Sequence, residues 1–134
     1  MDVAANKTRI EAIFAAMAEG DGRPFNAAMA DDVVWRVMGS GPWARDYRGK
    51  QAVVDELQRP LFANFATPYR CRATRIIAEG DSVVVLAKGE VTTKAGRPYN
   101  NDYCFVFTMR DGRIAGIVEY MDAALVEAAF APPA

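Results

Sequence analysis

The second half of this chain constrains its fold most, because four β-prone runs follow one another there with little between them. Residues 69–78, 82–93, 98–110 and 113–121 are rich in Val, Ile, Phe and Tyr. Only Glu79-Gly80-Asp81, Lys94-Ala95-Gly96-Arg97 and Arg110-Asp111-Gly112 separate them. Connections this short cannot carry a crossover, so each run must pair antiparallel with the next. The first half reads differently. Ile10, Ile13, Phe14 and Met17 recur at helical spacing, the stripe of a helix buried on one side. Thr8 and Glu11 fit a capping box ahead of it, and Gly20 fits a stop behind it. A short helix with Pro24 in its first turn should follow, turning Phe25 and Met29 inward, then a strand over 33–38. Gly39-Ser40-Gly41-Pro42-Trp43 breaks all periodicity and predicts a loop, with Trp43 either lining a cavity or anchoring the loop on the core. From Lys50, Val53, Leu57, Leu61 and Phe62 predict a third helix that Pro60 kinks or ends. Asp122 can cap a last short helix holding Leu125 and Val126, and Pro132-Pro133 stops it. Helices first and a meander after is an α+β order, and 134 residues suit one domain, 1–134.

Several function classes are excluded early. The formal net charge is −1 with no run of one sign, so a nucleic-acid or membrane-surface footprint is absent. No apolar stretch is long enough to span a bilayer, and residues 1–6 lack the start of a signal peptide, which predicts a cytoplasmic protein. Cys71 and Cys104 stand outside any metal-ligand spacing and read as reduced packing thiols. Histidine is absent, which removes the commonest general base and metal ligand together with every Ser-His or Cys-His nucleophile. No cofactor or metal is expected.

Carboxylates remain as the acid/base groups, and hairpin register decides where they fall. A two-residue turn at Ala95-Gly96 puts Glu90 opposite Asn101, Lys88 opposite Tyr103 and Leu86 opposite Phe105, on one face. A three-residue loop at the next turn, with Gly112 left-handed, adds Glu119 opposite Tyr103 and Ile117 opposite Phe105. A two-residue turn there moves Glu119 to the other face. With the three-residue loop, Lys88, Glu90, Asn101, Tyr103 and Glu119 gather at one end of an apolar face. Such a cluster is either the solvated rim of the sheet or a polar patch in a pocket. The opposite face (Val83, Val85, Ala87, Val91, Cys104, Val106, Ile114, Val118, Tyr120) is too apolar to face water, which predicts a homodimer through the sheet. Arg70, Arg72 and Arg75 read as a solvated or interface-edge cluster.

The order and spacing of Glu19-Gly20-Asp21, Ala30-Asp31-Asp32, Tyr47-Arg48-Gly49, Gly80-Asp81-Ser82-Val83-Val84-Val85, Gly96-Arg97-Pro98-Tyr99-Asn100, Arg110-Asp111-Gly112-Arg113-Ile114 and Glu119-Tyr120-Met121-Asp122 resemble the SnoaL-like branch of the nuclear transport factor 2-like superfamily. The resemblance implies a cone-shaped, curved antiparallel sheet packed on N-terminal helices, enclosing a pocket and commonly dimeric. It also favours the register that turns Glu119 inward. Members include isomerases, cyclases, epoxide hydrolases, dehydratases and non-catalytic binders. The tyrosine and aspartate of ketosteroid isomerases correspond to Ile13 and Val37 here, so that chemistry is not implied in its usual form. Lys88, Glu90 and Glu119 fall where limonene-epoxide hydrolases carry Arg, Asp and Asp, with Trp35 and Val37 in place of their water-positioning Tyr and Asn. In SnoaL-type polyketide cyclases an acidic pocket residue transfers protons, a role open to Glu119 or Glu90.

The expectation is therefore an acid/base enzyme of isomerase, cyclase or epoxide-hydrolase type on a compact apolar substrate. Glu119, Glu90 and Lys88 would be catalytic. Asn101 and Tyr103 would bind a substrate oxygen, and Trp35, Val37, Trp43, Phe62, Phe105, Ile117 and Met121 would shape the wall. The alternative is a non-catalytic hydrophobic-ligand pocket or a dimeric scaffold.

Overall fold

The computed structural model describes residues 2–132. The apolar stripe of the first helix decides its placement: α1 (Val3–Ala18) buries Ile10, Ile13 and Phe14 and packs mainly on β3 (Arg70–Glu79). The Asp2 side chain accepts from the Ala5 N–H at 2.7 Å, so Asp2 is the cap and Thr8 lies inside the helix, contrary to the capping-box expectation. Gly20 ends the turn after the helix with φ 84°, a conformation that favours glycine. α2 (Arg23–Ala28) carries Pro24 in its first turn and buries Phe25, and Met29 is buried as the first residue of β1 (Met29–Val37).

After β2 (Asp46–Arg48) comes α3 (Lys50–Ala52), which widens into a π-helical turn, Val53–Gln58, before α4 (Arg59–Phe62). Pro60 explains the widening. It has no N–H to donate and its ring would press on the preceding turn, so the helix opens just before it, with the Arg59 N–H reaching the Val54 carbonyl. The wide turn buries both Leu57 and Gln58. β4 (Ser82–Glu90), β5 (Asp102–Arg110) and β6 (Arg113–Met121) follow, then α5 (Ala123–Ala129), capped by Asp122. No helix among the described residues is long and apolar enough to cross a membrane.

The six strands form one curved sheet in the order β2-β1-β6-β5-β4-β3. It is antiparallel as expected except where β1 joins β6 in parallel, with Val37 beside Glu119. Register departs from expectation at both hairpins. Between β4 and β5 the loop is Lys94-Ala95-Gly96, closed by the Thr93 N–H on the Arg97 carbonyl at 2.8 Å, with Gly96 at φ 83°. This three-residue loop pairs Ala87 with Tyr103 and Val85 with Phe105, and sets Lys88 opposite Asp102 on the outer face. Between β5 and β6 the turn has two residues, Asp111 (φ 51°) and Gly112 (φ 75°), with Arg110 opposite Arg113. Alone, that turn would send Glu119 outward. A bulge at Ala115 then shifts the pairing from Met109–Ile114 to Thr108–Gly116, which places Glu119 opposite Phe105 on the inner face.

The inner face of β4 is thus Val83, Val85, Ala87 and Gly89, while Val84, Leu86, Lys88 and Glu90 point out, the reverse of expectation for this strand. Ile114 and Val91, expected on the outer face, are also buried. Val106, Val118 and Tyr120 remain on it, joined by Ile77, Val84 and Leu86.

Candidate functional site

The inner face, the helices and α5 leave a cavity of about 660 Å³. Its walls are mostly aromatic and aliphatic: Phe25, Trp35, Val37, Trp43, Leu57, Leu61, Phe65, Phe105, Met121 and Val126 among others. Gly22, Arg23, Phe62 and Thr67 also border it and are exposed, which marks the mouth between the α1–α2 turn and the segment after α4. Trp43 fills both expected roles. Its ring is buried against Phe130 (6.5 Å between centroids), its carbonyl accepts from the Tyr47 hydroxyl at 2.9 Å, and it lines the cavity.

Among the described residues, Glu119 is the one carboxyl on this wall. The Ala115 bulge turns it inward, and the Trp35 Nε1–H donates to its Oε1 at 2.9 Å. Trp35 is itself fixed by Phe25, with ring centroids 5.6 Å apart. Oε2 has no protein partner among the described residues. Although Glu119 keeps some accessible surface as a lining residue, aromatic groups surround it and desolvate its charged form. Burial therefore raises its pKa from 4.5 to about 7, against a smaller lowering by the Trp35 hydrogen bond. Near pH 7 such a carboxyl exists in both forms and can accept or give a proton.

A second polar group lies along the same wall. Tyr103 is diagonal to Glu119 across β5 and β6, since Phe105 is Glu119's direct partner. Its hydroxyl donates to that of Tyr99 at 3.5 Å, and Tyr69 packs beside its ring over Gly89. Burial pushes all three phenols up, so each stays neutral and able to donate. Gly89 makes the grouping possible: a Cβ there would sit 2.9 Å from Tyr103 Cε2 and 3.0 Å from the Tyr69 hydroxyl. Cys71, beside Tyr69, is pushed up to about 11 by burial and stays a neutral thiol.

The expected site residues therefore divide. Glu119, Tyr103, Trp35, Val37, Trp43, Phe62, Phe105 and Met121 border the cavity. Lys88 and Glu90 do not. Their strand is turned by one residue, Lys88 pairs with exposed Asp102 at 2.9 Å, and Glu90 is exposed. Asn101 is buried but fully engaged elsewhere. Its Nδ2 donates to the Tyr99 hydroxyl (3.0 Å) and the Asp122 carbonyl (3.1 Å), and its Oδ1 accepts from the Asp122 N–H (3.0 Å). It orients Tyr99 and fastens the start of α5. Ile117 is core and does not border the cavity. Sequence reasoning missed Tyr69, Tyr99, Asn26, Gln58 and Phe65. Reading Gly96 as the left-handed member of a three-residue loop would have brought Gly89 inward and pointed to the tyrosines packed over it.

Helices packed on one face of a curved sheet around an apolar cavity define an α+β fold of the cone type. The chain belongs to the SnoaL-like domain family, which matches it over residues 10–117, within the nuclear transport factor 2-like superfamily. It is similar to a nuclear transport factor 2-like protein from Burkholderia xenovorans LB400 (26% identity over 96% of this chain and 98% of that one, TM-score 0.71). Two more distant structures share the fold. One is a candidate SnoaL-like polyketide cyclase from Jannaschia sp. CCS1 (16% identity, 98% and 94% covered, TM-score 0.77). The other is a candidate isomerase from Bacillus subtilis (20%, 97% and 96%, TM-score 0.78). No curated protein matches the chain.

Proposed function

We propose that this protein is an acid/base enzyme of the isomerase or cyclase kind, acting on a neutral, ring-sized and largely apolar substrate. The observation that carries the reading is Glu119, a carboxyl held by Trp35 among aromatic rings with its pKa raised to about 7. In this role Glu119 takes a proton from a carbon next to a carbonyl. The electron pair of the broken C–H bond moves onto the carbonyl oxygen, where a hydroxyl of the Tyr69–Tyr99–Tyr103 group donates a hydrogen bond. The proton then returns from Glu119 to the γ-carbon of a conjugated enolate, or the enolate carbon attacks a second carbonyl of the same molecule and closes a ring. In the second case the electron pair of that carbonyl moves onto its oxygen, which takes the proton from Glu119. Diagonal neighbours on a sheet have their Cα atoms roughly 7–8 Å apart, which leaves room for one C–C=O unit between base and hydroxyl. The epoxide-hydrolase pattern fits less well, because Lys88 and Glu90 lie outside the cavity.

Exchange of the α-protons of 2-tetralone in deuterated water, followed by proton NMR, tests this without the natural substrate. The protein should accelerate exchange, and Glu119→Gln should remove about 10²-fold or more of the acceleration while the ketone still binds. Binding with no acceleration by the unaltered protein would favour a hydrophobic-ligand carrier instead. We also propose that the outer sheet face, with exposed Ile77, Leu86 and Tyr120, packs against a second copy of the chain.

A further inference from the structure

Asn26 on α2 and Gln58 at the end of the π-helical turn border the cavity with their amides joined in a reciprocal pair. Asn26 Nδ2 donates to Gln58 Oε1 at 3.0 Å, and Gln58 Nε2 donates to Asn26 Oδ1 at 2.9 Å. Gln58 is 8% exposed, one of the few buried polar side chains among the described residues. A primary amide has two N–H donors and two acceptor positions, and the reciprocal pair uses one of each. The second N–H of both amides has no protein partner among the described residues. The helix around Gln58 is π-wound, a geometry often found at functional sites, and that winding is what buries Gln58 beside Leu57.

Position matters as much as chemistry. The π-helical turn packs against β2, and Asn26 follows Phe25, whose ring lies on Trp35 of β1. The amide pair is therefore on the β1–β2 side of the cavity. The tyrosines stand over β4 and β5, and Glu119 on β6 lies between the two groups. Both outer groups are uncharged, and both offer donors.

We propose that the Asn26–Gln58 pair is a second polar subsite, and that the cavity takes neutral ring compounds carrying two oxygen functions at opposite ends of the skeleton. One oxygen, a hydroxyl or carbonyl, meets the amide pair, and the other meets the tyrosine hydroxyls. This deepens the proposed function in naming its substrate class. It rests on that reading only in taking the cavity to accept a ring-sized ligand.

The test is calorimetric titration of the full chain with 2-naphthol and 2,6-dihydroxynaphthalene. The unaltered protein should bind the two-oxygen compound about threefold to tenfold more tightly, the effect of one added hydrogen bond between neutral groups. Asn26→Leu/Gln58→Leu removes both partners together and leaves no orphaned amide, so the fold should hold and the preference should fall to about onefold. Should that variant not fold, Gln58→Met alone gives the same reading, since half-buried Asn26 can turn to water. Glu119→Gln should keep the preference, which separates the subsite from the proton chemistry. An unchanged preference in the amide variants overturns the subsite while leaving the proposed reaction standing. Failure of both naphthols to bind the unaltered protein overturns the ring-ligand premise that the two proposals share.

Discussion

Glu119 and Trp35 act as one unit at the residue scale. The indole N–H stabilises the carboxylate, opposing the desolvation that raises its pKa. Trp35→Phe removes the donor while keeping a smaller aromatic ring on the same wall, so the pKa of Glu119 should rise above about 7. A base must be ionised to act. The rising limb of the exchange rate against pH, centred near 7 in the unaltered protein, should therefore move to higher pH in Trp35→Phe. A limb that stays in place would show that the indole does not tune the acid. Tyr103 and the aromatic wall were legible in the sequence because inward-facing apolar neighbours surround them on β5 and β6. Glu119 came inward there through a three-residue loop that the structure replaces with a two-residue turn and a bulge. Tyr69, Tyr99 and Gln58 were not legible. Tyr69 and Tyr99 lie just outside regular strands, and Gln58 is turned inward only by a π-winding that no apolar spacing announces.

Two turns and a bulge decide the site at the scale of elements. β4 reads Val83-Val84-Val85-Leu86, apolar at every position, so hydrophobic alternation says nothing about which face is inward. Register then rests on turn chemistry. Gly96 alone is left-handed in the first loop, whereas Asp111 and Gly112 are both left-handed in the second. The Asp-Gly pair is itself a signal for a two-residue turn. The bulge at Ala115 has no comparable sequence signal, and it is what restores Glu119 to the inner face. Gly96→Ala isolates the first loop. A Cβ there meets nothing within 4 Å, so its cost is purely that of a positive φ, about 1 kcal/mol by denaturant unfolding. No loss of stability would contradict the three-residue loop.

For the whole molecule, the outer face holds its apolar character whichever way β4 is turned, because Val84 and Leu86 exchange with Val83 and Val85. That is why the expectation of a sheet-to-sheet dimer is independent of the register error. Arg70 and Arg72 on the edge strand β3 are exposed beside it, opposite Glu90 and Lys88. Analytical ultracentrifugation should find a dimer of the 134-residue chain, and Leu86→Glu should shift it toward monomer, since the charge would be buried unpaired between two sheets. A monomer at micromolar concentration would contradict the dimer. The cavity lies on the other side of the sheet, so its chemistry does not depend on that outcome.

The proton chemistry depends on a single ionisation. Glutamate carboxyl carbons can be followed by carbon-13 NMR from pH 4 to 9, with Glu119→Gln identifying the resonance that belongs to Glu119. A midpoint of about 7 is expected, well above the ordinary 4.5. A midpoint near 4.5 would mean that Glu119 is solvated and charged at neutral pH, and would contradict its proposed role as the acid/base group of the cavity.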